Sequence, residues 1–101
     1  MFQGTTPTII LTFNSDVDFS EATSVVVTFA TDYHKVITEF KDEDLTIEGN
    51  VVSRKLTQAE TLAMPSTVLV QLNALYPDGS RVASNIASFN LDDNLKDEVM
   101  L

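Results

Sequence analysis

Apolar residues alternate with polar ones along most of this chain, and this period of two constrains the fold more than any other feature of the sequence. The stretch from Thr23 to Thr31, TSVVVTFAT, is dense in β-branched residues and places Val25, Val27 and Phe29 on one face. β-branched and aromatic side chains pack well on a pleated surface. The stretch therefore predicts the most buried strand of a sheet.

Six further stretches carry a strand signature and are separated by turn-forming residues. They are residues 8–13, 35–41, 44–48, 51–56, 67–76 and 81–90, with turns at Asp32-Tyr33-His34, Gly49-Asn50 and Pro77-Asp78-Gly79-Ser80. No helix of ten or more residues separates these strands, which disfavours a parallel sheet. The sequence predicts an all-β fold, an antiparallel immunoglobulin-like β-sandwich of about seven strands.

Two of these strands carry a pattern that can be checked residue by residue. In 35–41, strict alternation places Val36 and Phe40 on one face and Ile37 on the other. In 81–90, Val82 and Phe89 fall on opposite parities, so the phase changes within the strand. One extra residue swaps the two faces of a strand, and we therefore expect a bulge or bend near Asn85.

The size and charge of the chain limit its partners. Its 101 residues fit one domain, 1–101, and an apolar fraction of 44% is that of a globular protein. Fifteen acidic and six basic residues give a net charge of −9. Nucleic acid and anionic membranes attract basic proteins, so we expect neither as a partner.

The first residues, MFQGTTPTIILTF, contain no Lys or Arg, and their apolar core of three residues is too short for a signal peptide or a membrane span. We therefore expect the chain to be cytoplasmic during synthesis.

The sequence contains no recognisable catalytic or cofactor site. It has no cysteine, its single histidine, His34, lies in a predicted turn, and its three glycines are far apart. A triad or a zinc site would need His34 together with partners that the pattern does not supply, and a phosphate-binding loop would need grouped glycines. We expect a protein without enzymatic activity, cofactor or metal.

Acidic loops and tyrosines leave a second interpretation open, a small module that binds carbohydrate or calcium. Acidic residues cluster at Asp16 and Asp18, at Asp42-Glu43-Asp44 and at Asp92-Asp93, and Tyr33 and Tyr76 are the tyrosines. None of the clusters has the spacing of a calcium-binding loop. This interpretation therefore depends on loops that the fold would have to bring together.

Two short helical segments are predicted. In LTQAETLAM, Thr57 and Glu60 have capping-box spacing, which predicts one helical turn over 57–63 that covers an end of the sandwich through Leu56, Leu62 and Met64. At the C-terminus, Leu91, Leu95 and Val99 recur every four residues and predict a short helix. Segment 91–101 would dock either on its own sandwich or on a neighbouring subunit, with these three residues in the contact.

The run VVSRKLTQAETLAMPSTVLVQLNALYPDGSRVASNIASFNL, together with the opening MFQGTTPT and the closing LDDNLKDEVM, resembles small β-sandwich proteins encoded in the tail and structural gene clusters of phages and prophages of Gram-positive bacteria. Its layout is similar to that of the N-terminal sandwich domain of upper baseplate proteins. Those domains often have a glycine after the helical turn, where this chain has Pro65-Ser66.

The resemblance implies a virion-associated structural or assembly protein, located in the virion after synthesis. Its implied partners are other virion or tail proteins and further copies of itself. It brings no catalytic residues, cofactor or metal ligands with it.

Overall fold

The computed structural model describes residues 1–96 and 98–100 and shows an antiparallel β-sandwich of eight strands. The strands are β1 (Thr8–Thr12), β2 (Ser24–Ala30), β3 (Val36–Lys41), β4 (Thr46–Glu48), β5 (Val51–Lys55), β6 (Thr67–Leu75), β7 (Arg81–Ala83) and β8 (Ala87–Asn90). One short helix, α1 (Gln58–Leu62), and two 3-10 turns (Phe19–Glu21 and Asp42–Asp44) complete the described structure. The all-β class predicted from the sequence is confirmed.

The strands form two sheets that face each other. The smaller sheet has the order β1-β5-β4, and the larger has the order β3-β2-β6-β7, with β8 also paired to β6. Val25, Val27 and Phe29 of β2 are buried as predicted, and so are alternate residues of β6. These inward residues pack with Val52 of β5 in one core. β2 therefore lies deep in the sandwich, but it is not the most buried strand as predicted, because β6 buries four of its nine residues and β2 three of its seven.

The phase change in the last predicted strand is a real bulge. β7 pairs with β6 through Asn73 and Ala83, whereas β8 pairs with the same strand through Val70 and Ala87. The β7–β8 side therefore holds one residue more than β6 across this interval. The Ser84 hydroxyl fills the gap by accepting a hydrogen bond from the Leu72 N–H at 2.9 Å.

The strict alternation predicted for 35–41 is wrong at Val36, the first residue of β3. β2 pairs Phe29 with Thr38 but Ala30 with Val36, so Ile37 is an extra residue in β3. The bulge turns Val36 out to solvent, while Ile37 packs against the core. Alternation cannot show such a slip because both residues are apolar.

The predicted helical turn is present as α1 and covers one end of the sandwich, which we call the helix end. Thr57 accepts a hydrogen bond from the Glu60 N–H at 3.2 Å, and a Glu60 carboxylate oxygen accepts one from the Thr57 N–H at 2.7 Å. Leu56 and Met64 are buried on either side of the turn, as predicted. Thr61 is also fully buried, and its hydroxyl lies 2.8 Å from the Thr5 carbonyl oxygen.

The helix predicted at the C-terminus is wrong for the described residues, 91–96 and 98–100, while residues 97 and 101 lie outside the description. Leu91 is 3% exposed and belongs to the core, whereas the side chain of Leu95 is fully exposed and Val99 is about half exposed. The three residues therefore share no face. After Leu91 the chain pairs with the N-terminal segment, where the Asp92 N–H donates to the Met1 carbonyl oxygen at 2.7 Å.

The C-terminal segment docks on its own sandwich, which is one of the two expected arrangements. Asn94 donates from its side chain to the Gln3 carbonyl oxygen at 3.0 Å. Further along, the Met100 N–H and carbonyl both bond to the side chain of Gln58 on α1. These contacts hold the segment across the helix end.

Candidate functional site

An open surface of mixed apolar and polar side chains covers the outward side of the larger sheet, with Thr28, Gln71 and Asn73 among the polar ones. Two adjoining depressions there share Thr28 and have volumes of about 230 and 420 Å³. We call this surface the outer trough. Its apolar side chains are Val26, Ala30, Val36, Leu69, Leu75 and Ile86. The outward face of an antiparallel sheet is usually polar, so this composition is unusual for a face exposed to water.

The strands position the trough residues by their outward phase. Val26 of β2 and Leu69 of β6 alternate with core residues and are partly buried. Val36 and Ile86 are about half exposed, and each lies at a bulge that turns it outward or frees it from the ladder. Both irregularities of the larger sheet therefore add apolar area to the same face.

Polar side chains line the sides of the trough. Glu39 of β3 and Arg81 of β7 line the larger depression, and Arg81 donates to the Asn73 side chain at 3.1 Å. At the opposite end, the turn residue His34 lines the smaller depression and has a positive φ of 65°. Apolar side chains next to polar and charged ones also occur in protein–protein contact surfaces.

A separate depression, of about 590 Å³, lies away from the outer trough, at the end of the sandwich opposite α1. It brings Asp16, Asp18 and Asp78 beside Tyr76, so one of the acidic loops considered for ligand binding does meet a tyrosine. Tyr76 donates its hydroxyl to the Asp18 carbonyl oxygen at 3.2 Å. Tyr33 is far more exposed, at 89%.

Two of the three aspartates of this loop cluster already have protein partners. Asp18 accepts from the hydroxyl and the N–H of Ser20, and Asp78 accepts from the same two groups of Ser80. In each pair the serine hydroxyl and then its N–H lower the pKa of the aspartate. Among residues 1–96 and 98–100, no three His, Asp or Glu side chains are grouped closely enough to hold a metal ion.

The remaining acidic clusters act as local structural groups. An Asp42 carboxylate oxygen accepts a hydrogen bond from the Val25 N–H, which ties the 3-10 turn to β2. Asp92 pairs through its backbone with Met1 and Gln3, and its carboxylate lies 4.0 Å from the N-terminal amine. These contacts account for both residues as parts of the fold.

An inward-facing arginine links both sheets to α1, and the sequence interpretation missed it. The Arg54 guanidinium lies 4.4 Å from the ring centroid of Phe40 on the larger sheet and 2.9 Å from a Glu60 carboxylate oxygen. Arg54 also donates to the Asp44 carbonyl oxygen at 3.2 Å. The available signal was the phase of β5, since Arg54 shares the parity of the buried Val52.

Burial and hydrogen bonding act in opposite directions on Glu60. Burial raises the pKa of this carboxyl, but the hydrogen bonds from the Thr57 N–H and from Arg54, together with the Arg54 charge, outweigh it and hold the pKa below its ordinary value. Among the described residues, the Nε atom of Arg54 is buried without a hydrogen-bond partner. Arg54 and Glu60 therefore form a structural ion pair, in which the Glu60 carboxylate balances the charge of the partly buried guanidinium.

The predicted contact residues of the C-terminal segment lie away from the outer trough. Leu91 is in the core, and Val99 lines a depression of about 380 Å³ beside α1 with Leu56 and Gln58. Leu95 is exposed next to the N-terminal segment that Asn94 contacts. Their role in contacts with a partner stays a prediction.

No described helix has the length and the apolar character that crossing a membrane requires. The chain matches no family model, no curated protein and no solved structure. A functional proposal for this chain therefore has to come from its own surface and sequence.

Proposed function

We propose that this chain is a non-enzymatic structural or assembly protein of a phage or prophage particle, and that it acts through protein–protein contacts. The outer trough is the surface that we assign to a contact with another virion protein. The proposal combines the resemblance of the sequence to phage tail and baseplate sandwich proteins with the character of this one surface.

The outer trough is the observation that carries the proposal. Val36 and Ile86 are each about half exposed, and Leu75 is 43% exposed, all on one sheet face. Several large apolar side chains exposed on one face cost free energy in water, and a face that gathers them is a candidate contact surface in soluble proteins. Burying such side chains contributes ~25 cal/mol for each Å² removed from water.

The charge of the chain also favours selective contacts. A net charge of −9 opposes non-specific association, whereas the floor of the trough is formed by uncharged side chains. A partner with a complementary apolar surface can therefore approach this face more easily than the acidic loops.

The test combines particle analysis with direct binding. Mass spectrometry of purified particles from a strain that carries the gene should detect the chain. Purified products of the neighbouring structural genes should include one that binds it in biolayer interferometry. A Val36→Lys/Ile86→Lys double variant should weaken that binding at least about tenfold, because it places two charges among the apolar side chains of the outer trough.

Val82→Lys is the control, since Val82 is similarly exposed, at 45%, but lines the depression around Asp18 and Asp78 and not the trough. It should bind normally, and both variants should keep the wild-type unfolding midpoint within a few degrees. Particles without the chain, together with no binding by any neighbouring product, would refute the proposed function.

One observation favours the ligand-binding alternative, namely that Tyr76 lines the same depression as Asp16 and Asp78. A ligand that prefers the folded state raises the melting temperature. Calcium or a glycan should then raise it for the wild type and should do so less for Tyr76→Ala. Unchanged melting temperatures with calcium and across a glycan panel would remove this alternative.

A further inference from the structure

One edge of the smaller sheet exposes unpaired backbone groups. β1 pairs only with β5 among the described strands. The Phe13 N–H donates to Asn50, and the Leu56 N–H donates to Pro7, so the odd-numbered residues of β1 point their backbone groups toward β5. Because these groups alternate along an antiparallel strand, those of Thr8, Ile10 and Thr12 point away from the sheet.

The other sheet edges carry features that oppose pairing with a further strand. β3 has a bulge at Ile37 and charged residues at Glu39 and Lys41, and β4 is only three residues long and follows three acidic residues. The β7–β8 edge is broken by its bulge. β1 has neither a charge nor a bulge in its five residues. Edges without such features readily pair with another strand.

The segments next to β1 carry few charged side chains, the nearest in its own sheet being the exposed Lys55 of β5, which lies opposite Thr8. Phe2, before β1, forms a bridge with Asp92, after β8, and the Arg54 guanidinium of β5 stacks on Phe40 of β3. β5 therefore lies over β3, and β1 lies on the same side of the sandwich as β7 and β8. Neither 2–15 nor 82–91 contains a charged side chain, although the chain carries a net charge of −9. Two copies can therefore approach through this side with little like-charge repulsion.

The sequence of β1 is nearly the same in both directions, TIILT, with Ile10 at its centre. An antiparallel pair related by a two-fold axis places Ile10 opposite Ile10 and Thr8 opposite Thr12. Both threonine pairs and the isoleucine pair then lie on the outward face, where Ile10 is 61% exposed. Cross-strand pairs of this kind stabilise a sheet.

We infer that β1 is a self-association edge and that its partner is the β1 of a second copy of this chain. The two smaller sheets join into one continuous antiparallel sheet, with the two-fold axis at Ile10. The inference rests on the proposed function in one respect, since it names one of the protein partners that an assembly protein would use. The outer trough lies on the other sheet and stays free for a different partner.

Single-cysteine variants test both the contact and its register, because the chain contains no cysteine of its own. Directly opposed residues of a hydrogen-bonded pair have Cα atoms about 5.5 Å apart, within the disulfide range of ~4.4–6.8 Å. Oxidised Ile10→Cys should therefore form a covalent dimer. Thr8→Cys alone should not, since its equivalent lies roughly 13 Å along the strand. A mixture of Thr8→Cys and Thr12→Cys should cross-link.

Sedimentation velocity of the cysteine-free chain gives the second readout. The wild type should dimerise with rising concentration, Ile10→Lys should stay monomeric at the same concentrations, and Val36→Lys should dimerise like the wild type. A wild type that is monomeric throughout, or equal cross-linking at positions 8, 10 and 12, would overturn the inference. If the monomeric chain still binds a neighbouring gene product through the trough, the proposed function stands without self-association.

Discussion

Glu60 offers the most informative perturbation of the helix end. Its two carboxylate oxygens accept separate hydrogen bonds, one from the Thr57 N–H at 2.7 Å and one from Arg54 at 2.9 Å. A hydrogen bond to a charged group contributes ~1.5–3 kcal/mol when shielded, and an exposed ion pair contributes ~0.2–1 kcal/mol. The side chains of Arg54 and Glu60 are 25% and 22% exposed, so the pair lies between these limits. We expect Glu60→Ala to lower the free energy of unfolding by about 2 kcal/mol.

Two related variants separate the parts of this effect. Glu60→Gln keeps an acceptor for the Thr57 N–H, because glutamine also serves at this capping-box position, and it removes only the charge. We expect it to cost about 1 kcal/mol. Thr57→Ala removes the other half of the capping box and should also cost about 1 kcal/mol.

Urea unfolding followed by far-UV circular dichroism measures these differences, and thermal unfolding gives a second measurement. In a domain of this size, 1 kcal/mol shifts the Tm by roughly 4–8 °C. Glu60→Ala should therefore lower the Tm about twice as much as Glu60→Gln. A loss below about 0.5 kcal/mol for Glu60→Ala, or equal losses for the two variants, would refute the reasoning, because the pair would then behave as an ordinary surface ion pair.

The acid dependence of stability adds an independent check on Glu60. Burial works against the ionised form, but the Thr57 and Arg54 contacts hold the pKa of the folded protein below its ordinary value. A depressed pKa stabilises the folded state above the pKa of the unfolded chain, and this stabilisation is lost as the pH falls through the folded pKa. The stability difference between the wild type and Glu60→Gln should therefore shrink in acid.

Four other substitutions test the fold by the same unfolding measurements. Ser84→Ala should cost about 1–3 kcal/mol, because it leaves the Leu72 N–H without its acceptor, and an unchanged midpoint would contradict the bulge geometry. Thr61→Val should cost about 1 kcal/mol through loss of a buried hydroxyl bond, and no loss would mean that this bond does not secure the N-terminal segment. Leu91→Ala should cost about 2–5 kcal/mol and Leu95→Ala less than about 0.5 kcal/mol, whereas equal costs would favour the helix predicted for this segment.

The strands of the core could be predicted because their burial is one-sided. In β2 and β6 every second residue is apolar and buried, so the period of two reports the inward face directly. The bulge near Asn85 was predictable for the same reason, since a phase change is visible when Val82 and Phe89 disagree. The capping box at Thr57 was predictable because its two hydrogen bonds lie within four residues of chain.

Features that depend on tertiary contacts were missed or predicted wrongly. The spacing of Leu91, Leu95 and Val99 fits a helix. Leu91 is instead buried in the core, and Asp92 pairs through its backbone with the N-terminal segment. Such pairing outweighs the weak preference of an isolated short helix. No local pattern shows that pairing, because its two halves lie at opposite ends of the sequence.

The outer trough was hidden for a different physical reason. In stretches such as VVV and TVLVQ, apolar residues occupy both parities, so Val26 and Leu69 look like ordinary strand residues. Only the position of the second sheet shows which parity is covered and which faces water. Arg54 was overlooked in the same way, since its partners Phe40 and Glu60 come from other elements.

The bridge between Phe2 and Asp92 has a consequence for the time course of biosynthesis. Phe2 is synthesised about 90 residues before its backbone partner Asp92. At ~5–20 residues per second, that delay is roughly 5 to 18 s. β1 waits for a shorter time, because its partner strand β5 (Val51–Lys55) is made about halfway through this interval. The contact between Phe2 and Asp92 at the helix end can therefore form only after every strand of the two sheets has been made.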